Sequence, residues 1–221
     1  APLRLMQEGG SLTVGSYSSS PTVEVMVYDF GAVTITYRFG LDGPFDGLRE
    51  LSESLYEHEL LLSESRARVE QLVQAIHTAI ERPKIAAEVE DYLIFAIESC
   101  APAQGSPLWT SREDALASIL RGERTPLSEQ EIHDALSCRI SFGLEDAALI
   151  DWHAAVLFGK EMDDVRAVLE FANVELLEMR MLDEQLDQAL DQGYEALTRI
   201  PRLLSLPGTY DKHTTHIAQL Q

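Results

Sequence analysis

The side chains best placed to do chemistry are Asp151 and His153, which with Trp152 form a polar break in the apolar run ALIDWHAAVLFG. An aspartate beside a histidine can orient an imidazole for general-base work, as in a hydrolase. The run reads as a strand, however, with Trp152 packed inward and Asp151 and His153 facing outward without meeting. No nucleophile is marked by an elbow or a helix start. Asp211, His213 and His216 supply a carboxylate and two imidazoles, the histidines one helical turn apart, which makes an incomplete metal-ligand set. His58-Glu59 opens like the H-E-x-x-H of zinc proteases, but position 62 is leucine and the second ligand is missing. Glu88, Glu90, Asp91 and Glu98 flank or lie within a β-prone stretch. Paired acids there can serve hydrolysis or a metal, and a solvated strand face explains them with fewer assumptions. Asp29-Phe30-Gly31 matches the magnesium-holding triplet of protein kinases, yet the glycine-rich loop, strand lysine and H-R-D loop that such chemistry needs do not precede it. It reads as a turn between strands. Phosphate-cradling glycine motifs are absent from the sequence. No cofactor is implied.

These groups must be positioned by an α+β arrangement. Alternating apolar residues predict strands in VEVMVYDFGAVTITYRF, with Val23, Val25 and Val27 on one face, followed by Val33, Ile35, Tyr37 and Phe39 on one face of the next. SLTVGSY is a candidate first strand, and Tyr92–Ile97, residues 138–143 and residues 148–159 are further ones. Leucine spacing predicts one long helix near 45–82, ended by Pro83. Ser111–Arg121 and Ser128–Leu136 read as short helices, each opened by a capping serine with an acid soon after. The expected architecture is a small, mainly antiparallel sheet with two long helices. Residues 1–160 make the α+β domain and 161–221 a C-terminal helical arm.

That arm carries the most regular pattern in the chain. With Leu169 at heptad position a, the series Leu169, Ala172, Leu176, Met179, Asp183, Leu186, Leu190, Gly193, Leu197 and Ile200 alternates three- and four-residue steps. Such a stripe seeks another helix, in the same chain or in a partner. Asp183 and Gly193 weaken it as an isolated two-stranded coil. The interaction residues it nominates are Leu169, Leu176, Met179, Leu186, Leu190 and Leu197.

The bulk composition bounds the partners the chain can take. The 221 residues are 45% apolar, enough for a sizeable core, and 37 acids against 17 bases leave a net charge of −20. That surface repels phosphate backbones and anionic headgroups, which argues against nucleic acid and against charge-driven membrane binding. Cys100 and Cys138 stand far apart with no C-x-x-C context and read as reduced thiols. Neither a signal peptide nor a spanning run is visible in the sequence. The pattern THIAQLQ is still helical at Gln221, which reads as the soluble part of a longer protein whose membrane contact would come through a segment not in this chain.

The segment LEFANVELLEMRMLDEQLDQAL, following DWHAAVLF, resembles the C-terminal half of proteins related to the "required for meiotic nuclear division" family, and YDFGAVTITY is similar to their early hydrophobic strand. The resemblance implies an α+β domain whose late helices lead to a membrane-anchoring C-terminus. It also implies a non-enzymatic, tethered protein, with mitochondrial relatives that support translation. It carries no catalytic residue onto this chain. The reading that results is a non-enzymatic interaction or scaffold protein that meets itself or a protein partner through long acidic helices. A hydrolase using the Asp151/His153 region and a small-ligand or cation-sensing domain are the alternatives.

Overall fold

A computed structural model describes residues 2–56, 58–81, 83–99, 108–141, 143 and 146–203, with side chains described to residue 196 except at Leu108. The fold is α+β. The chain divides into two compact units, Ala1–Leu177 and Glu178–Gln221.

In the first unit, β1 (Leu3–Glu8), β4 (Thr22–Val27) and β5 (Val33–Thr36) form an antiparallel sheet in the order β1-β4-β5, with Val25 opposite Ile35 and Val27 opposite Val33. The Asp29-Phe30-Gly31 triplet is the turn of this β4–β5 hairpin. Tyr28 N–H donates to Ala32 O at 2.9 Å, and Gly31 takes φ +103°, a conformation that favours glycine. SLTVGSY is no single strand: Gly15, at φ +59°, folds it into the two-residue pair β2 (Thr13–Val14) and β3 (Tyr17–Ser18).

The long helix expected near 45–82 is two helices, α1 (Asp46–Leu55) and α2 (Glu59–Ala75), with a 3-10 turn at His77–Ala79. The chain leaves helical geometry at Tyr56 (φ −61°, ψ 121°), and His58 is again extended (ψ 104°). Tertiary packing overrides the leucine pattern here. α1 buries Leu51, Ser52 and Leu55, with the Ser52 hydroxyl donating to Ile119 O at 2.5 Å, whereas α2 buries Leu72. The break lets each stripe face its own neighbours, and the Tyr56 ring leaves the helix to lie 4.3 Å from the His153 ring.

The second sheet has the order β6-β9-β8-β7, from β6 (Leu93–Ile97), β7 (Cys138–Ile140), β8 (Ala147–Ile150) and β9 (Ala154–Phe158). Residues 148–159 are therefore a tight hairpin rather than one strand. β8–β9 and β7–β8 are antiparallel, while β6 runs parallel to β9. Between β6 and β7 come α3 (Leu108–Ser111), α4 (Glu113–Arg121) and α5 (Glu129–Ala135). α5 opens with a capping box: the Ser128 hydroxyl accepts from the Glu131 N–H, and the Glu131 carboxylate accepts from the Ser128 N–H. α4 stops at Gly122, which adopts the left-handed conformation.

β9 is buried along its whole length because both of its faces are covered. Ala154, Val156 and Phe158 pack with Leu51, Leu55, Leu116, Ile119 and Leu120 of α1 and α4. Ala155 and Leu157 pack with Ala148 and with Leu169 of α6 (Asp163–Leu203).

Candidate functional site

The structure places Asp151, Trp152 and His153 in the turn between β8 and β9, where Asp151 N–H donates to Ala154 O at 2.9 Å. The expected orientation is inverted. Trp152 is 58% exposed, His153 is 6% exposed, and the Asp151 carboxylate is held inward. A turn does not impose strand alternation, and aspartate favours such positions because it bonds its own backbone: Asp151 Oδ1 accepts from the Trp152 N–H at 2.9 Å. Its Oδ2 lies 2.6 Å from Arg121 Nε on α4. The Tyr92 hydroxyl donates to the Asp151 carbonyl at 2.9 Å, and burial, with the Asp151 and Cys138 charges, pushes its pKa up to about 12. His153 instead lies beside Tyr56 and Trp152, with Nε2 3.9 Å from Asp91 Oδ2. Asp151 thus serves an arginine and His153 an aromatic nest; the geometry ties α4, Tyr92 just before β6 and the hairpin together.

Asp211, His213 and His216 lie outside the described residues. Among the described residues, no group of three or more His, Cys, Asp or Glu is placed to hold a metal ion. Of the acids around β6, only Glu98 follows the strand directly; Glu88, Glu90 and Asp91 precede it in irregular chain. Cys138 is an exposed free thiol.

The first unit also contains an open cleft of about 1370 Å³. Its apolar lining includes Tyr37 and Phe39, Leu62 and Val69 of α2, and Ile94 of β6; its polar lining includes Arg166 and Glu170 of α6. Glu170 sits near a charge cluster on the first sheet, where the Glu24 carboxylate contacts Arg4 Nε and lies 2.5 Å from Arg38 Nη2. Burial opposes the Glu24 charge, but hydrogen bonds and attraction from the two arginines outweigh it, so its pKa falls below 4.5. Glu170 goes the other way: burial is the largest influence and Glu24 adds repulsion, more than Arg166, Arg38 and Arg4 offset.

Glu170 therefore holds its proton more tightly in the folded than in the unfolded chain. Its contribution to stability is fully present below pH 4.5 and is lost as pH rises through the raised value. Glu170→Gln is expected to raise stability at pH 7, because the charged carboxylate is disfavoured in the folded chain. The gain should shrink on acidification to pH 4.5, as urea titrations at the two pH values will show.

The interaction residues divide between the two units. In the first, Leu169 is buried in the core beneath β9 and Leu176 is half-buried. Leu169 is therefore no external seam contact. The buried side of this part of α6 includes Val174, while Ala172, a seam position, is exposed. Packing on β9 rotates the buried face away from the heptad line. In the second unit, Met179, Leu186 and Leu190 stand exposed, joined by Leu182 and Tyr194, all five between 51% and 67% accessible. Leu197 is within the helix, but its side chain lies outside those described. The a/d reading missed Leu182 and Tyr194, which flank the seam at g and e; the signal was their apolar character beside it.

Small sheets with covering helices, and a last helix bearing an exposed apolar stripe, define an α+β protein. The chain belongs to the family described as "Uncharacterized protein MJ0711, N-terminal domain", whose model matches residues 1–164. That match ends in the first turn of α6. No curated protein and no solved structure matches the chain. Among the described residues, no helix is long and apolar enough to cross a membrane.

Proposed function

We propose that this protein is a non-enzymatic interaction or scaffold protein that self-associates through the helix of its second unit. The observation that carries the reading is the exposed row Met179, Leu182, Leu186, Leu190 and Tyr194. An apolar stripe exposed on a solvated helix is unfavourable, and covering it lowers the free energy; each leucine contributes roughly 1.5–3 kcal/mol when fully buried. The charge pattern permits pairing with a second copy. Glu178, Glu184, Asp191 and Glu195 fall at heptad positions c, b, b and f, away from the seam, so two copies meet without opposing most of their acids. Light scattering over a concentration series is expected to give the mass of two chains; the mass of one chain at every accessible concentration would sink the proposal.

A second reading, a domain that takes an apolar small ligand, is favoured by the cleft between α2, β5 and β6. It exceeds the volume typical of small-molecule sites and combines aromatic and aliphatic walls with charged groups that include Arg38, Arg112 and Arg166. A fatty acid panel in a thermal-shift assay tests it: a saturable rise in Tm supports the reading, and no shift at millimolar ligand removes it.

A further inference from the structure

We infer that the second-unit helices pair antiparallel, about a two-fold axis beside Gln188, so that Asp183 of one copy faces Gly193 of the other. The inference rests on the self-association proposed above and specifies its geometry. It comes from the two positions that interrupt the apolar seam, Asp183 at a and Gly193 at d.

In a parallel pair, a faces a and d faces d. Asp183 would then meet Asp183 of the second copy, putting two carboxylates in one partly dry layer, where like charges repel more strongly than in water. Gly193 would meet Gly193, leaving a layer with no side chains and a void between the helices.

In an antiparallel pair, a faces d. With the axis beside Gln188, Leu186 of each copy lies opposite Leu190 of the other, forming two leucine layers next to the axis. The same register sets each Asp183 opposite a Gly193. The glycine has open space where a Cβ would stand, with no atom within 4 Å, so the aspartate gains room to turn its carboxylate to water. Both defects are thus absorbed in the same pair of layers, at the two ends of the leucine pair. Ala189 meets Ala189 of the second copy on one flank, which lets the helices approach closely. On the other flank Asp187 meets Asp187 at the solvated rim, where the repulsion is screened. Parallel pairing instead sets Asp187 beside Leu182 and relieves that contact, but leaves Asp183 against its own copy inside the seam. The inner repulsion is the larger, and antiparallel pairing follows.

The experiment uses the full chain with Cys100→Ser and Cys138→Ser, carrying either Asp183→Cys or Gly193→Cys, in a redox buffer of reduced and oxidised glutathione. A disulfide needs Cα atoms within about 7 Å. Positions 183 and 193 are separated by about 15 Å along a helix, so each register links a different pair. Either single variant alone is expected to run as an unlinked chain on non-reducing gels. Their equimolar mixture is expected to give, as the dominant product, a covalent dimer joined from position 183 of one chain to position 193 of the other. Self-linking of both single variants, with no preference for the mixture, would overturn the antiparallel register. If the parent chain scatters light as one chain, self-association itself has failed and the register with it, which separates the two failures.

Discussion

Replacing Leu186 and Leu190 together with aspartate is expected to convert a dimer into a folded monomer. Both side chains are exposed in the single chain, so neither supports its own fold, and substitutions at such positions ordinarily change stability by no more than about 0.5 kcal/mol. In the dimer, the same two residues from each copy supply the central apolar layers. Four leucines at roughly 1.5–3 kcal/mol each give at least about 6 kcal/mol, and the aspartates add repulsion to a helix that is already acidic. The dissociation constant should rise at least about ten-thousandfold. Light scattering checks the mass, and thermal unfolding checks that the first unit melts as in the parent. A double variant that still scatters as two chains would place the interface elsewhere.

Leu157→Ala should act in the opposite way, destabilising the chain without touching the helix stripe. Leu157 is 1% exposed next to the last residue of β9, with β6 on one side, β8 on the other and Leu169 packed with it. Removing a buried leucine side chain costs about 2–5 kcal/mol, the larger part of that range when the surroundings fail to collapse into the cavity. β9 is held by two strands and covered on both faces, which restricts relaxation, so about 3–4 kcal/mol is expected. A lowered urea midpoint with unchanged slope checks it. Leu182→Ala in the exposed row, measured at concentrations where the chain is monomeric, should move the midpoint little.

The α+β class was legible because its signals are local. The alternation of Val23, Val25, Val33 and Ile35 and the glycine turn between them need only a few neighbouring residues, and the structure pairs Val25 with Ile35. Ser128 with Glu131 announced its helix for the same reason. What escaped the sequence depended on distant partners. Leucine spacing alone runs through Tyr56, and the break there reflects the different packing of α1 and α2 together with His153, nearly a hundred residues later. The same holds for Asp151: nothing adjacent in the chain shows that Arg121 lies 2.6 Å away, and without it an inward-facing carboxylate looks too costly. Along the last helix, periodicity found the stripe but not its rotation over β9, since Leu169 fits both the seam and the core. Asp211, His213 and His216 lie beyond the described residues.

The parallel neighbour of β6 has a consequence for how the chain is made. β6 sits at the edge of its sheet, and its neighbour there is β9, with Leu93 opposite Ala154. On the ribosome, β6 emerges well before that neighbour, and its hydrogen-bonding edge stays open while α3, α4, α5, β7 and β8 are synthesised. β8 and β9 can close as a hairpin as soon as Phe158 is out, because their turn is short. Docking that hairpin on β6 requires closing the long intervening segment, and non-local pairing of this kind is the slow step in sheet formation. A ribosome that stalls before Ala154 would therefore release a fragment whose most apolar edge strand has nothing of its own to pair with, the condition under which nascent chains aggregate.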